Sequence, residues 1–170
     1  MTVVTYVVFG FLKGFQPFAG YNYGAKKYGR LKQSIKLCMT WSTIFCIIAG
    51  IVLIVFANPI VSLFGTDIEM LALAETALRL NAALFITFGF QMVYASLYLA
   101  IGKSLVGSIL SLSRQGIFFF PLVIVLPHLF GLTGVIWVQP LADIFTTIFT
   151  VIFALKINHT ISIEISKEAD

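Results

Sequence analysis

The sequence predicts an all-α, polytopic membrane protein, and three observations carry that prediction. Hydrophobic residues make up 59% of the 170 residues and charged ones 11%, with a mean hydropathy of +1.01. Too little polar material remains to cover a water-soluble body. The apolar runs outlast ordinary core helices and reach the roughly 20 residues that cross a bilayer. Five of the eleven Lys and Arg residues fall within positions 26–36, in a turn-rich segment between two such runs, as Lys and Arg do on the cytoplasmic side of a membrane. From that side the chain reads as five transmembrane helices.

The first helix is expected over residues 1–15. Lys13 extends its stem toward the headgroups, and Gly10 and Gly14 form a small-x-x-x-small pair that either packs closely against a neighbouring helix or merely loosens this one. Gln16-Pro17 then opens a loop, because proline lacks an amide donor and constrains its predecessor. Gly20, Gly24 and Gly29 make the backbone permissive, and Asn22 can bond locally to it. This loop is either a basic turn that sets topology or a gate that docks on neighbouring helices.

The second helix is expected over 34–57, with Trp41 toward the cytoplasmic side and Asn58-Pro59 at the outer end. Residues 60–67 form an interfacial passage with no Lys or Arg, and Thr66 or Asp67 is positioned to cap the next helix. That helix, 68–100, is too long for one perpendicular crossing. Residues 68–79 are read as an outer extension, where Glu75 and Arg79 pair four apart, and 80–100 as the crossing. Asn81 and Gln91 place amides in apolar surroundings and need partners, either across a cavity or in helix packing.

Gly102-Lys103-Ser104 is a second basic turn. It lacks the spacing of a phosphate-binding loop, which excludes nucleotide binding. The fourth helix, 105–127, carries Arg114 about ten residues inside the membrane, too deep for a casual surface charge. Pro121 is expected to interrupt it, and Pro127-His128 to mark its outer end. The fifth helix, 132–155, contains Pro140 and, near its middle, Asp143. Lys156 closes it, so residues 1–157 form the transmembrane body and 158–170 a polar cytoplasmic tail.

Arg114 and Asp143 lie at similar depths, so an ion pair is expected, or a network with Gln115, Gln139 and Thr146. Its role is left open between a structural lock, ion coupling by Asp143, and gating through Arg114 or Pro140. Phe85, Phe88, Phe90, Tyr94 and Tyr98 suit either a drug cavity or lipid contact.

Several classes are excluded. The net charge of +4 sits in short loops beside apolar runs, which fits topology and lipid contact rather than nucleic acid. Cys38 and Cys46 share one apolar run and read as small buried residues. No metal or cofactor spacing occurs, and no nucleophile and base arrangement marks an enzyme. A cleavable leader is a poor reading of the start.

The ordered motifs add a resemblance. Gln16-Pro17-x-x-Gly20-x-Asn22-Tyr23-Gly24-Ala25-Lys26-x-x-x-Arg30, then Asn58-Pro59, Gly102-Lys103, Ser113-Arg114-Gln115 with Pro121, and Gly131-x-x-Gly134 leading to Pro140 and Asp143 resemble the multidrug and toxic compound extrusion (MATE) transporters. The resemblance implies most of one six-helix lobe, the C-terminal one, without its first helix, in a multi-pass protein of the cell inner membrane with a cytoplasmic C-terminus. It implies export of organic cations, drugs or other amphiphiles in exchange for protons or sodium, the proton or sodium ion being the coupling partner and no cofactor being needed. It also implies that this chain is part of a longer product, its partner being the missing N-terminal lobe or a second copy of itself. Gln16, Pro17 and Asn22 then sit at the cytoplasmic face. The acid that some branches carry in the fourth helix of this lobe has no counterpart after Asn81. A lipid-linked oligosaccharide flippase or a nontransporting membrane fragment are the alternatives.

Overall fold

The computed structural model describes residues 2–63 and 68–169. Among the described residues all regular structure is helical: α1 (Thr2–Gly24), α2 (Tyr28–Val55), α3 (Ala57–Ser62), α4 (Ile68–Ala100), α5 (Ser104–Leu112), a π-helical turn (Ser113–Ile117) and α6 (Phe119–Ala169). Three stretches are long and apolar enough to cross a membrane, 28–55, 70–100 and 104–167, and the last is folded back on itself. With α1, whose 23 residues extend about 34 Å, they make a polytopic membrane protein. Its outer faces are apolar: Ile44, Ile48, Ile51 and Val55 of α2 are all exposed, as side chains facing lipid are.

The first helix does not stop at Gln16-Pro17. It runs through the proline to Gly24. One lost backbone bond is tolerated in a membrane helix when neighbours compensate, and here the following turn is packed: Ala19 is fully buried and Asn22 is 2% exposed. A Cβ on Gly20 would meet the carbonyl of Ala100 at 2.8 Å, so the ends of α1 and α4 touch backbone to backbone. The expected close-approach pair Gly10 and Gly14 has nothing within 4 Å of either position. Small residues are used one helical stretch later instead.

A Schellman turn ends α1. The amide of Lys27 bonds the carbonyl of Asn22 and that of Lys26 bonds the carbonyl of Tyr23, with Lys26 in the left-handed region at φ 58°, where glycine is the usual occupant. The expected loop of 16–33 therefore shrinks to residues 25–27. α2 starts at Tyr28, six residues before the expected 34, because its buried stripe reaches back: Leu31, Ile35, Cys38, Ser42, Cys46 and Gly50 recur at helical spacing. Arg30, Lys32 and Lys36 sit on the exposed face of the same helix.

Asn58-Pro59 is not a bare stop. Both residues lie in the first turn of α3, where an amide has no intrahelical partner to lose. The expected cap at Thr66 or Asp67 lies outside the described residues. α4 continues unbroken past residue 79, so the outer extension and the crossing are one 33-residue helix. It is the hub of the fold: every residue from Gln91 to Tyr98 is buried, since α1, α2, α3, α5 and α6 all pack against it.

The fourth crossing is interrupted, but one turn before Pro121. The amide of Phe118 bonds the carbonyl of Ser113, a five-residue step that widens the helix at 113–117. Pro121 itself is helical. It follows Ile117 by four, so the carbonyl it cannot serve belongs to the last residue of the widened turn.

α6 folds back at Gly131, whose φ 58° and ψ −137° divide it into arms of 119–130 and 132–169. A Cβ on Gly134 would strike the carbonyl of Leu126. Eight residues span about 12 Å in a straight helix, so that contact requires the chain to reverse. The segment after 157 is no loose tail, for the second arm stays helical to Ala169. Ile157 and Ile161 are 1% and 2% exposed, and Asn158 donates to the hydroxyl of Tyr94 at 2.7 Å. That stripe carries the helix past the expected boundary.

Candidate functional site: a buried ion pair beside a polar cavity

The widened turn decides where Arg114 points, and α6 answers it with a face of residues four apart. Gln139, Asp143 and Thr147 repeat at helical spacing, and all three act in one cluster. Arg114 Nε donates to Asp143 Oδ1 at 2.5 Å and Nη2 to Oδ2 at 3.3 Å, the two-pronged geometry that suits guanidinium and carboxylate. Gln139 Nε2 adds a third donor to Oδ1 at 3.2 Å. Asp143 is 3% exposed at its side chain and Arg114 12%, so the acid is enclosed and the base lies at the rim.

α4 supplies the floor. The Arg114 guanidinium lies 4.7 Å from the centre of the Phe88 ring, within cation–π range. Phe88 is held by stacking on Phe85 at 5.1 Å and by an edge contact with Phe9 at 6.3 Å. Below it, Gln91 ties α4 to α6. Its Nε2 donates to the Asp143 carbonyl at 3.1 Å and to Thr147 Oγ1 at 2.9 Å, while Thr147 donates to the same carbonyl at 2.6 Å. Gln91 Oε1 is buried without a partner.

Beside the pair opens a cavity of about 420 Å³ between α1, α4, the π turn and α6. Tyr6, Phe9 and Phe85 give it aromatic walls, and Asn81, Arg114, Gln115 and Gln139 give it polar ones. Asn81 Oδ1 is buried there with no bonding partner, an acceptor left for a donor that enters.

Of the residues singled out from the sequence, Asn81, Gln91, Arg114 and Asp143 come together here. Pro140 is buried next to Gln139 and Asp143 on α6. The others do not join. Gln16 is half-buried and Pro17 exposed along α1. Asn22 donates to the Phe18 carbonyl at 2.8 Å and so helps finish that helix. Pro121 is exposed. The expected network member Thr146 is fully buried with an unpartnered hydroxyl, and its neighbour Thr147 makes the bonds instead. The Gln139, Asp143, Thr147 spacing is the signal that would have found it. Tyr98 is a packing residue, donating to the Phe153 carbonyl at 3.0 Å.

The architecture and its motifs have a match among known proteins. The MatE family model matches residues 1–125. This chain belongs to the MATE family. MATE proteins are membrane transporters rather than enzymes. The multidrug export protein MepA of Staphylococcus haemolyticus is 29% identical over 137 residues, 81% of this chain and 30% of that protein. MepA of Staphylococcus aureus is 24% identical over 161 residues, 95% of this chain and 35% of that one. Among solved structures, a chain called protein A superposes with a TM-score of 0.84 at 38% identity, covering 92% of this chain and 35% of its own. The MATE transporter VcmN of Vibrio cholerae in its bent form shares the fold, with a TM-score of 0.73 at 20% identity, over 96% of this chain and 39% of its own. The chain thus spans about a third of the length of the curated MATE relatives it matches.

Proposed function

We propose that this MATE chain forms part of a secondary active multidrug exporter, in which organic cations or other amphiphiles leave the cell in exchange for protons or sodium. The observation that carries the proposal is the enclosed Asp143, neutralised by an Arg114 that also borders the aromatic and amide-lined cavity. A proton or sodium ion arriving at Asp143 competes with Arg114 for the carboxylate. Once displaced, the guanidinium presents its charge to the cavity, which repels a bound organic cation. Loss of the ion restores the pair and the cation's place on the aromatic walls. The relatives named as multidrug export proteins support the substrate class. In this reading the basic turns at 25–27 and 102–103 face the cytoplasm of an inner membrane, the chain corresponds to the C-terminal lobe, and the opposite lobe comes from further polypeptide or from a second copy.

The test is efflux of ethidium from pump-deficient cells expressing the protein, with the proton or sodium gradient collapsed in turn. Loss of efflux with one gradient, and loss of that dependence in Asp143→Asn at equal expression, is the expected result. Ion-dependent efflux unchanged in Asp143→Asn would remove Asp143 from the coupling step. Membrane insertion with no efflux would refute transport by this chain as expressed.

A further inference from the structure

A second groove lies away from the Arg114–Asp143 cavity, where the start of α2 meets the end of α6. Its volume is about 840 Å³ and it opens broadly to the surroundings. The two walls run in opposite directions. Lys32 and Lys36, one helical turn apart on α2, share the groove with His159 and Ser162 of α6, while Met39 and Leu155 lie further along. Helical rise puts Met39 about 10 Å beyond Lys32, toward the middle of the bilayer. The groove is therefore basic and hydrogen-bonding at the membrane edge and apolar toward the membrane interior.

Its charge is unbalanced. Among the described residues no acidic one lines it, and the ion pairs there, Arg79–Glu75, Arg114–Asp143 and Lys167–Glu164, leave Lys32 and Lys36 out. Two lysines one turn apart on a helix face without a carboxylate repel each other and attract an anion. An apolar floor directly inward of them selects an anion that carries a hydrocarbon chain.

We propose that this groove binds an anionic phospholipid, the phosphodiester lying against Lys32 and Lys36 with His159 and Ser162 on the opposite wall, and an acyl chain lying on Met39 and Leu155. Basic pockets between transmembrane helices on the cytoplasmic side take lipid headgroups for the same physical reasons. Charge complementarity and the polar-to-apolar gradient along one groove argue for lipid over free phosphate, which would use only its rim.

The test is native mass spectrometry of the purified protein titrated with phosphatidylglycerol or phosphatidylcholine of identical chains. Preferential retention of phosphatidylglycerol is expected, falling on the order of tenfold in Lys32→Gln/Lys36→Gln and unchanged in Lys103→Gln, which removes a charge from the other basic turn. Glycerol phosphate is expected not to compete. Equal retention of both lipids, an equal loss in Lys103→Gln, or full competition by glycerol phosphate would each overturn the proposal. So would a stable dimer that the double substitution dissociates, which would assign the groove to a second copy. Should the double variant fail to fold, phosphatidylglycerol with a photoreactive acyl chain, crosslinked to the unaltered protein, decides the matter. Labelling at Met39 or Leu155 is expected, and labelling spread evenly over the lipid-facing surface would overturn it.

Discussion

Removing either charge of the Arg114–Asp143 pair is predicted to destabilise the protein unequally, and the order follows from where water reaches. Arg114→Met keeps an unbranched apolar stem and deletes the charge. Asp143, 3% exposed, is then left with the amide of Gln139 at 3.2 Å and no cation, and an enclosed charge stripped of its partner costs about 3–5 kcal/mol. Asp143→Asn leaves the guanidinium 4.7 Å above Phe88 at the rim of a cavity of about 420 Å³, where entering water can serve its donors. That loss should be smaller, about 1–3 kcal/mol. The double variant Arg114→Met/Asp143→Asn buries no charge and should recover at least half of the larger loss, a coupling of ~2 kcal/mol or more in a double-mutant cycle. Reversible unfolding in mixed micelles, read by tryptophan fluorescence, measures all four proteins. A greater loss in Asp143→Asn than in Arg114→Met, or a double variant as unstable as the sum of the two, would refute the argument that burial of the acid dominates.

Other expectations follow from single contacts. Gly50→Ala places a Cβ 2.9 Å from the Ala82 carbonyl and should cost about 1–3 kcal/mol by overpacking, whereas Gly10→Ala meets nothing and should stabilise by about 0.5–1 kcal/mol; thermal unfolding in detergent compares them. Lys26→Gly relieves a left-handed residue and should raise stability by about 1 kcal/mol, an increase the same melt would show. Gln91→Met removes two bonds to α6 and one unpartnered oxygen together, so unfolding in micelles should register a change of about 1 kcal/mol or less. Cys38 and Cys46 are 4% and 0% exposed and should resist maleimide, while Gln115→Cys, on the cavity wall, should label and be protected by a bound substrate.

Much of the site is legible from charge and depth. A lone Arg and a lone Asp set at like distances inside apolar helices have few ways to avoid a large desolvation cost, and meeting each other is the simplest. What escaped was angular. Thr146 and Thr147 are equivalent in composition, but one residue is 100° of helix, and only the packing of α4 against α6 shows that Thr147 faces Gln91. The widened turn at 113–117 was equally hidden. Pro121 signals a disturbance in that helix, yet the direction in which Arg114 leaves it depends on a five-residue hydrogen bond that no residue type announces.

Sequence alone determined the fold class, because apolar run length and the distribution of Lys and Arg answer to the membrane directly and need no partner, and the ordered motifs determined the family. Tertiary structure decided where helices end and which side chains meet. Pro17 and the glycines near it spell a loop locally, but Ala19 and Asn22 are buried and Gly20 abuts the Ala100 carbonyl of α4, and that packing carries α1 onward to Gly24. Ile157 and Ile161 likewise hold α6 helical beyond its apparent end. Local propensities differ by about 1 kcal/mol per residue, and by about 3 kcal/mol for proline, and close packing of several side chains against neighbouring helices can outweigh them.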